Sequence, residues 1–238
     1  MIKNKKIIAI ITARAGSKRL PNKNILNING KPIIYYSIKA ALKSKFIDRV
    51  ILSTDSKKIL TLGNKYGAET PFLRPKKLSN DTSHHPEVVE HAVSFIENSE
   101  NIKFDYVVML QPTSPFRTSL NIDEGIKKII KSNKKTLISL KEQNYPPWWM
   151  FLKKKNNLVP VIKLKKKTNV FNLESQQFPK VFRPNGALYI TQRMHLKKYN
   201  ELVNLDSCSF ITMKNEESFD IDTKDDYLIA KLNYKNAK

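Results

Sequence analysis

One basic loop has the composition of an anion site. Residues 12–24, TARAGSKRLPNKN, follow the apolar run IIAIIT. They include four cations: Arg14, Lys18, Arg19 and Lys23. Small residues such as Ala15 and Gly16 let the backbone approach an anion closely, and the cations would neutralise it. The loop matches neither the Walker phosphate loop nor the dinucleotide fingerprint. It therefore predicts a polyphosphate site of another kind, with a basic surface loop as the alternative.

Two carboxylates near the end of the sequence have the spacing of metal ligands. Asp220 and Asp222 stand two residues apart in FDIDT, and in an extended chain residues i and i+2 project to the same face. Neighbouring carboxylates repel each other unless a cation lies between them, and Mg²⁺ prefers oxygen ligands. The spacing thus predicts a site for Mg²⁺ or Mn²⁺. The alternative is that the segment only begins a helix, with Thr223 and Asp226 forming a capping box.

Polar residues also stand near the ends of other apolar runs. Ligands of open α/β sheets bind at the carboxyl ends of the strands, so these residues are further candidates. They are Asp55 in STD, Arg74 and Asp81 in LRPKKLSNDTS, Gln111, Thr113, Ser114 and Arg117 in LQPTSPFR, and Arg183 and Asn185 in FRPNGALY. The alternative for each is a helix cap or a turn, and Asp81 could cap the helix that begins near residue 86.

Histidine and tryptophan do not add a second site. His84, His85 and His91 make no convincing metal set, because adjacent side chains diverge and His91 falls on a helix face. Trp148 and Trp149 are interpreted as the core of an inserted segment, with a base-stacking platform as the alternative.

Strand and helix patterns alternate along most of the chain. Short apolar runs predict strands, and apolar residues at helical spacing predict helices. The predicted strands cover 7–12, 49–55, 69–75, 105–111, 136–141, 186–192 and 208–213, and the predicted helices cover 32–45, 56–67, 85–98, 119–131 and 223–234. This order predicts an α/β fold with helices covering a mainly parallel sheet. The alternation stops at about 142–182, where a hairpin at Asn156-Asn157 and an inserted arm are expected.

The composition is that of a soluble globular protein. The 238 residues suit a single domain, predicted to span 1–238, and no apolar run approaches the roughly 18 residues that cross a bilayer. The first apolar run is interpreted as a strand and not as a signal peptide. The formal net charge of +22 comes mostly from lysine, with only seven arginines and no nucleic-acid-binding motif, so neither nucleic acid nor membrane is expected as a partner. The single Cys208 excludes an internal disulfide and fits a cytoplasmic protein.

Six motifs, taken in order, resemble those of one enzyme family. They are ARAGSKRLPNKN, STD, LRP followed by SNDTS, LQPTSPFR, FRPNGALY and FDIDT. Together they resemble the acylneuraminate cytidylyltransferases, which activate sialic acids and related nonulosonic acids with CMP. The resemblance spans Ile7 to about Tyr227. It implies a Rossmann-like nucleotidyltransferase fold, helices on both faces of the sheet, and a homodimer built through a dimerisation arm at about 142–182. One lysine cluster of the arm is expected to extend towards the partner's pocket: Lys163, Lys165, Lys166 and Lys167.

The resemblance also implies a reaction and a role for each candidate residue. CTP and a 2-keto sugar acid would give the CMP-sugar and pyrophosphate, with Mg²⁺ or Mn²⁺ as cofactor. The implied catalytic residues are Arg14, Lys18 and Lys23. The implied nucleotide contacts are Arg14, Ser17, Lys18, Arg74, Asp81 and Ser83. The implied sugar contacts are Asn24, Gln111, Arg117, Arg183 and Asn185. The implied metal ligands are Asp220 and Asp222.

One segment departs from the family pattern. Many sialic acid synthetases carry a His-Pro stretch followed by Lys after the strand predicted at 136–141, whereas this chain has NYPPWWMF. Sialic, legionaminic, pseudaminic and other nonulosonic acids therefore stay open as the substrate. The nearest alternative is a nucleotidyltransferase for another sugar or nucleotide, and the alternative outside enzymes is a Lys-rich nucleic-acid-binding protein.

Overall fold

Strands and helices alternate along the chain. A computed structural model describes residue 2, residues 4–162 and residues 169–236. Its strands are β1 (Ile7–Thr12), β2 (Asn27–Ile28), β3 (Lys31–Pro32), β4 (Arg49–Ser53), β5 (Tyr106–Leu110), β6 (Thr136–Glu142), β7 (Phe151–Lys154), β8 (Asn157–Pro160), β9 (Phe182–Gln192) and β10 (Cys208–Thr212). Its α-helices are α1 (Ile33–Leu42), α2 (Lys57–Lys65), α3 (His85–Glu100), α4 (Ser119–Ser132), α5 (Arg193–Tyr199) and α6 (Lys224–Asn236). Among these helices, none combines the length and apolar character needed to cross a bilayer.

Six strands form one sheet in the order β10-β6-β9-β5-β1-β4. β1 pairs in parallel with β4 and β5, and β10 pairs in parallel with β6, whereas β9 runs antiparallel to both of its neighbours. The sheet is mainly parallel, as predicted. Thr12 pairs with Ser53, and Ile11 pairs with Leu110, so the carboxyl ends of β1, β4 and β5 meet at one edge of the sheet.

Both faces of the sheet are buried under helices, and β1 shows why. Ile7, Ala9 and Ile11 belong to an apolar cluster that includes residues of α1 and α4. Ile8 and Ile10 belong to a second cluster, which includes residues of α3. Because successive side chains of a strand point to opposite faces, a strand covered on both sides is an unbroken apolar run. This explains IIAIIT, and it confirms the predicted helices on both faces.

Two parts of the predicted element order are wrong. No strand covers 69–75 in this described region; only Glu69 makes an isolated bridge, to Ile51. Pro71 and Pro75 lack the N–H groups that a strand ladder requires. β9 begins at Phe182 rather than at residue 186, and the helix α5 that follows it directly was not predicted.

The segment between β6 and β9 contains a hairpin and a small aromatic cluster. β7 and β8 are antiparallel, with Lys154 paired to Asn157, so the hairpin predicted at this place is confirmed. Trp148 stacks on Phe178 with 5.3 Å between ring centroids, and Trp149 meets the same ring edge-on. The tryptophans thus pack within the segment, in agreement with the interpretation of them as its core. The lysine cluster at 163 and 165–167 lies outside the described residues.

Candidate functional site

A cavity of about 590 Å³ lies at the carboxyl ends of β1 and β5. Its walls come from residues 12–24 after β1, 78–85 before and at the start of α3, 111–113 after β5, and 220–222 before α6. Five cations line it: Arg14, Lys18, Arg19, Lys23 and Arg74. This volume lies within the range of small-molecule sites, and the charge suits a polyanion.

The basic loop is anchored at both ends, so its cations are held over the cavity. The backbone N–H of Ala15 donates to Asp55 Oδ1 at 2.8 Å. At the other end, Asn24 is only 6% exposed and its Nδ2 donates to the carbonyl oxygen of Arg14 at 2.9 Å. Asn24, predicted as a sugar contact, therefore lines the cavity and also braces the loop. Open space surrounds Gly16, which leaves room for an anion beside the backbone.

Asp81 holds two of these cations from the opposite wall. Its carboxylate oxygens lie 2.8 Å from Arg14 Nη2 and 2.5 Å from Lys18 Nζ. Hydrogen bonds from Lys18 and then Arg14 lower the pKa of Asp81. The carboxylate thus stands where the sequence predicts a triphosphate, and it acts as a counter-ion of Arg14 and Lys18.

Asp222 pairs with the other two loop cations. Its Oδ1 lies 2.9 Å from Lys23 Nζ, and its Oδ2 lies 2.9 Å from Arg19 Nη2. Burial alone would raise the pKa of Asp222, but the hydrogen bond and charge of Lys23, together with Arg19, lower it overall. Between the two carboxylates, Ile221 is fully buried in an apolar cluster. The alternation polar-apolar-polar therefore sends both Asp220 and Asp222 to the cavity side.

The segment also begins α6, and the capping box that the alternative interpretation predicted from Thr223 and Asp226 is confirmed. Thr223 N donates to Asp226 Oδ2 at 2.8 Å, and Asp226 N donates to Thr223 Oγ1 at 3.1 Å, which completes a capping box. The side chain of Asp222 takes no part in it. The helix cap and the acidic pair are therefore separate features of one segment.

Asp220 is half-buried, as is Asp222, but its Oδ1 atom is shielded from solvent. This oxygen finds no hydrogen-bond partner among the described residues. Burial raises the pKa of Asp220, and the charge of Asp222 adds to this against an opposing hydrogen bond from Thr113. The two carboxylates thus have pKa values shifted in opposite directions. An unpartnered buried carboxylate oxygen beside a second carboxylate fits the oxygen-ligand chemistry of a Mg²⁺ or Mn²⁺ site.

Arg74 forms part of the cavity wall. It is 5% exposed, and its guanidinium donates to the side-chain and carbonyl oxygens of Ser53 at the end of β4. Burial lowers the pKa of Arg74 to about 10, with Asp55 opposing and Arg14 adding to the shift. The group remains charged at pH 7. It supplies fixed positive charge on a rigid support.

Gln111 and His85 meet at the wall of the cavity. Gln111 Nε2 lies 3.2 Å from His85 Nε2, and the Gln111 carbonyl oxygen accepts a hydrogen bond from Ser37 Oγ. His85 is open to the cavity, yet the protein crowded around it lowers its pKa, as do the charges of Arg74 and Arg14. Its ring is therefore neutral at pH 7. His85 was not predicted to line a site, because the sequence argument weighed histidines only as metal ligands.

The structure brings most predicted site residues together and leaves three apart. The cavity contains Arg14, Ser17, Lys18, Lys23, Asn24, Arg74, Asp81, Ser83, Gln111, Asp220 and Asp222. Arg117 and Asn185 are 3% and 4% exposed and turn inward to other protein groups, so their prediction as direct sugar contacts is corrected. Arg183 is exposed on β9 and lies outside the cavity wall. Its role as a sugar contact stays a prediction.

Comparison with known proteins gives the family. A family model described as Cytidylyltransferase matches residues 8–235. The chain belongs to this cytidylyltransferase family. It is 35% identical over 230 residues to a pseudaminic acid cytidylyltransferase of Campylobacter jejuni subsp. jejuni serotype O:2, with 97% of both chains covered. It is 33% identical over 230 residues to an N-acylneuraminate cytidylyltransferase of Escherichia coli O18:K1:H7, where the match covers 94% of this chain and 51% of that protein.

A solved structure supports the same fold. The structure of a CMP:2-keto-3-deoxy-manno-octonic acid synthetase complexed with CTP superposes with a TM-score of 0.67, covering 98% of each chain at 16% identity. At that identity the likeness concerns the fold alone. Together, these findings confirm the family, the Rossmann-like nucleotidyltransferase fold and the cytidylyltransferase activity that the six motifs predicted.

Proposed function

We propose that this protein transfers the CMP group of CTP to the anomeric hydroxyl of a nonulosonic acid and releases pyrophosphate. The observation that carries the proposal is the convergence of five cations and three carboxylates, Asp81, Asp220 and Asp222, on one cavity at the carboxyl ends of the parallel strands. The relatives act on pseudaminic acid and N-acylneuraminate, which supports a substrate of this sugar class. Such a reaction needs CTP, which fits the cytoplasmic location expected from the sequence.

The reaction requires stabilisation of negative charge. The anomeric oxygen forms a bond to the α-phosphorus while the bond from that phosphorus to the bridging oxygen breaks, and pyrophosphate leaves. Arg14 and Lys18 would neutralise the leaving pyrophosphate, and Lys23 would neutralise the oxygens of the α-phosphate. Gln111, which also lines the cavity, would orient the sugar acid. Each cation stands on a braced loop, so little reorganisation is needed during the reaction.

The acidic pair would hold the divalent ion. Asp220 and Asp222 are the described residues whose carboxylates fit Mg²⁺ or Mn²⁺ at this place, since Asp220 Oδ1 is buried without a partner. The ion, when bound, supplies Lewis-acid stabilisation of phosphate charge. Lys23 and Arg19 pair with Asp222 and would balance the negative charge of the acidic pair beside the phosphates.

The decisive test is an assay of pyrophosphate release. The purified protein is incubated with Mg²⁺, one of the four nucleoside triphosphates, and one of several acids: N-acetylneuraminic, legionaminic, pseudaminic and 3-deoxy-octulosonic acid. The proposal predicts turnover with CTP and at least one nonulosonic acid, and formation of the CMP-sugar by mass spectrometry. Turnover only with another triphosphate, or only with the eight-carbon acid, would overturn it.

The arm would join two copies of the chain. Residues 142–182 leave many large apolar side chains exposed: Tyr145, Met150, Leu152, Leu158, Val161, Ile162, Phe171 and Phe182. A patch of this kind on one small segment is typical of a protein interface. Sedimentation velocity at micromolar concentration should therefore give a dimer. Leu158→Lys, which changes a side chain 69% exposed in the single chain, should shift the dimer towards monomer, whereas Leu205→Lys, outside the arm and 82% exposed, should not. A monomeric wild-type protein with full activity would contradict this proposal.

A further inference from the structure

β9 is irregular where it passes the candidate site. Ile138 of β6 pairs with Tyr189, but Leu140 pairs with Pro184, so residues 185–188 of β9 bulge out opposite Ser139 alone. Ser139 Oγ accepts a hydrogen bond from Leu188 N at 2.9 Å, which closes the ladder around the bulge. Bulges redirect side chains and are frequent beside active sites. This bulge contains Asn185, Gly186 and Ala187, the centre of the motif FRPNGALY.

Gly186 brings the bulge against the site. Its φ is +75°, a backbone conformation that favours glycine. A Cβ atom at this position would lie 3.2 Å from Gln111 Oε1 and 3.9 Å from Asp220 Oδ2. The bulged backbone therefore borders both Gln111, the predicted sugar contact, and the carboxylate of Asp220. The path of this backbone limits the space available to these two side chains.

Asn185 uses its whole carboxamide within the protein. Oδ1 accepts from Ser139 Oγ at 2.5 Å and from the Ala187 N–H at 3.1 Å. Nδ2 donates to Ser218 Oγ at 3.0 Å and to Met213 Sδ at 3.4 Å. A carboxamide has two acceptor positions and two donor hydrogens, so all four are used. At 4% exposure, this side chain can hardly touch a ligand, and its four bonds fix it in one orientation.

These bonds join the sheet to the segment that carries the acidic pair. Ser139 belongs to β6, whereas Ser218 stands two positions before Asp220 in the connection from β10 to α6. Beyond Asp220, the Ile221 N–H donates to the Thr113 carbonyl oxygen at 2.9 Å. Asp220 thus lies between two residues that are held by hydrogen bonds, Ser218 and Ile221. Of these, Ser218 is held by Asn185. We propose that Asn185 is a positioning residue, which acts through Ser218 to fix the carboxylates of Asp220 and Asp222 as metal ligands.

Arg117 supports the same bulge from its other side. Its Nη1 donates to the Ala187 carbonyl oxygen at 2.6 Å, and its Nη2 donates to Ser37 Oγ at 2.6 Å. The bulge is therefore held by Asn185 towards the acidic segment and by Arg117 towards α1. This accounts for the two predicted site residues that the structure turns away from the cavity. Arg117 and Asn185 do not line the cavity, but both support the bulge that borders it.

The test compares two variants with a matched control. Ser218→Ala removes the hydroxyl that Asn185 holds, and Asn185→Ala removes the whole link. Thr136→Val is the control, because Thr136 is also buried and its hydroxyl also accepts a hydrogen bond, here from the Asn204 N–H at 3.1 Å. Thr136 stands at the amino end of β6, three residues before Ser139. Three quantities are measured: thermal stability, Mn²⁺ affinity from the free-ion EPR signal without CTP or sugar acid, and the Mg²⁺ concentration for half-maximal turnover.

The positioning role predicts that Ser218→Ala and Asn185→Ala weaken Mn²⁺ binding by about tenfold or more. The Mg²⁺ concentration for half-maximal turnover should rise with it. Thr136→Val should lower thermal stability with wild-type metal affinity. Equal metal affinity in Ser218→Ala and Thr136→Val would overturn the proposal, and so would a wild-type protein that binds no Mn²⁺. If Asn185→Ala does not fold, Ser218→Ala alone decides.

The inference rests on the proposed function, but the two can fail separately. Mn²⁺ affinity is measured without any substrate. A protein that lacks turnover with every nonulosonic acid, but whose Ser218→Ala variant loses Mn²⁺ affinity, would contradict the proposed function and keep the positioning role. Normal turnover with unchanged Mn²⁺ affinity in the variants would contradict the positioning role and keep the proposed function.

Discussion

Lys23 and Asp222 form an ion pair across the candidate site, with 2.9 Å between Nζ and Oδ1. Lys23 is predicted to contact the reacting phosphate, and Asp222 is predicted to bind the metal ion. Lys18 and Asp81 repeat the arrangement on the opposite wall. Each wall thus neutralises its own charge. Binding of a polyphosphate or a metal ion would require these internal pairs to be exchanged for contacts with the ligand.

Asp81→Asn should increase affinity for polyphosphate. The Asp81 carboxylate competes with phosphate oxygens for Arg14 and Lys18, and Asn has the same shape without the charge. Because the pair is exposed, the gain should be modest, up to about fivefold in Kd for tripolyphosphate by calorimetry. Asp206→Asn, which changes the net charge equally at an exposed position, should leave Kd unchanged. Weaker binding by Asp81→Asn would instead indicate the direct nucleotide contact that the resemblance implies.

Lys18→Ala should weaken the use of CTP far more than it weakens the fold. The Lys18 side chain is 81% exposed, so little packing is lost. A charge-assisted hydrogen bond to a phosphate is stronger than a neutral one, and its loss should lower kcat/KM for CTP by about tenfold or more. The melting temperature should stay at the wild-type value. Lys65→Ala, on the last turn of α2, serves as the control, and unchanged kinetics of Lys18→Ala would remove this residue from the site.

The sequence predicts what depends on local periodicity. Asp220 and Asp222 reach the same side because Ile221 between them is buried, and the strict alternation of side chains in an extended segment predicts this from the order of the residues alone. The parallel strands and the position of the basic loop follow from apolar runs in the same way. The strand expected at 69–75 fails because its prolines outweigh its apolar residues.

What the sequence leaves out depends on contacts between distant segments. The pairing of Asp81 with Lys18 joins two loops, and no spacing rule predicts it. The sequence predicts that Arg117 and Asn185 lie near strand ends, where ligand contacts are expected, but a residue at such a place can also turn inward. The side chain of Asn185 turns inward because it lies in the bulge of β9, and a bulge depends on the pairing with the partner strand. The partners of a buried amide are therefore found only in three dimensions.

Asp220→Asn should stabilise the metal-free protein at pH 7. Burial raises the pKa of Asp220, so in the window between the unfolded value of about 3.9 and the higher folded value the native state binds more protons than the unfolded chain. Stability therefore falls as pH rises through that window, and Asn removes this loss. Melting in EDTA should show a gain at pH 7 that shrinks as pH falls through the folded pKa. The exposed Asp225→Asn should show no gain, and a lower melting temperature of Asp220→Asn at pH 7 would contradict the argument.

Asp222→Asn should lower turnover by at least about a hundredfold, or roughly 2.7 kcal/mol of transition-state stabilisation. Asn is nearly isosteric, and the cap of α6 is made by Thr223 and Asp226, so the helix should survive the change. What is lost is one of the two negative charges that would hold the metal ion, together with the charge that pairs with Lys23. Asp220→Asn should also impair turnover. The measurement is turnover and melting temperature over a Mg²⁺ titration.

Asp226→Asn separates this catalytic role from the structural one. It weakens the capping box, where Asp226 Oδ2 accepts from the Asp222 N–H at 3.0 Å and from the Thr223 N–H at 2.8 Å. We expect a lower melting temperature with an unchanged Mg²⁺ requirement, because its carboxylate serves the helix and not the cavity. Asp222→Asn should instead show a wild-type melting temperature with a changed Mg²⁺ requirement. If Asp222→Asn kept near-wild-type turnover and Mg²⁺ dependence, the acidic pair would have no metal role, and charge stabilisation in the site would depend on the cations of the basic loop.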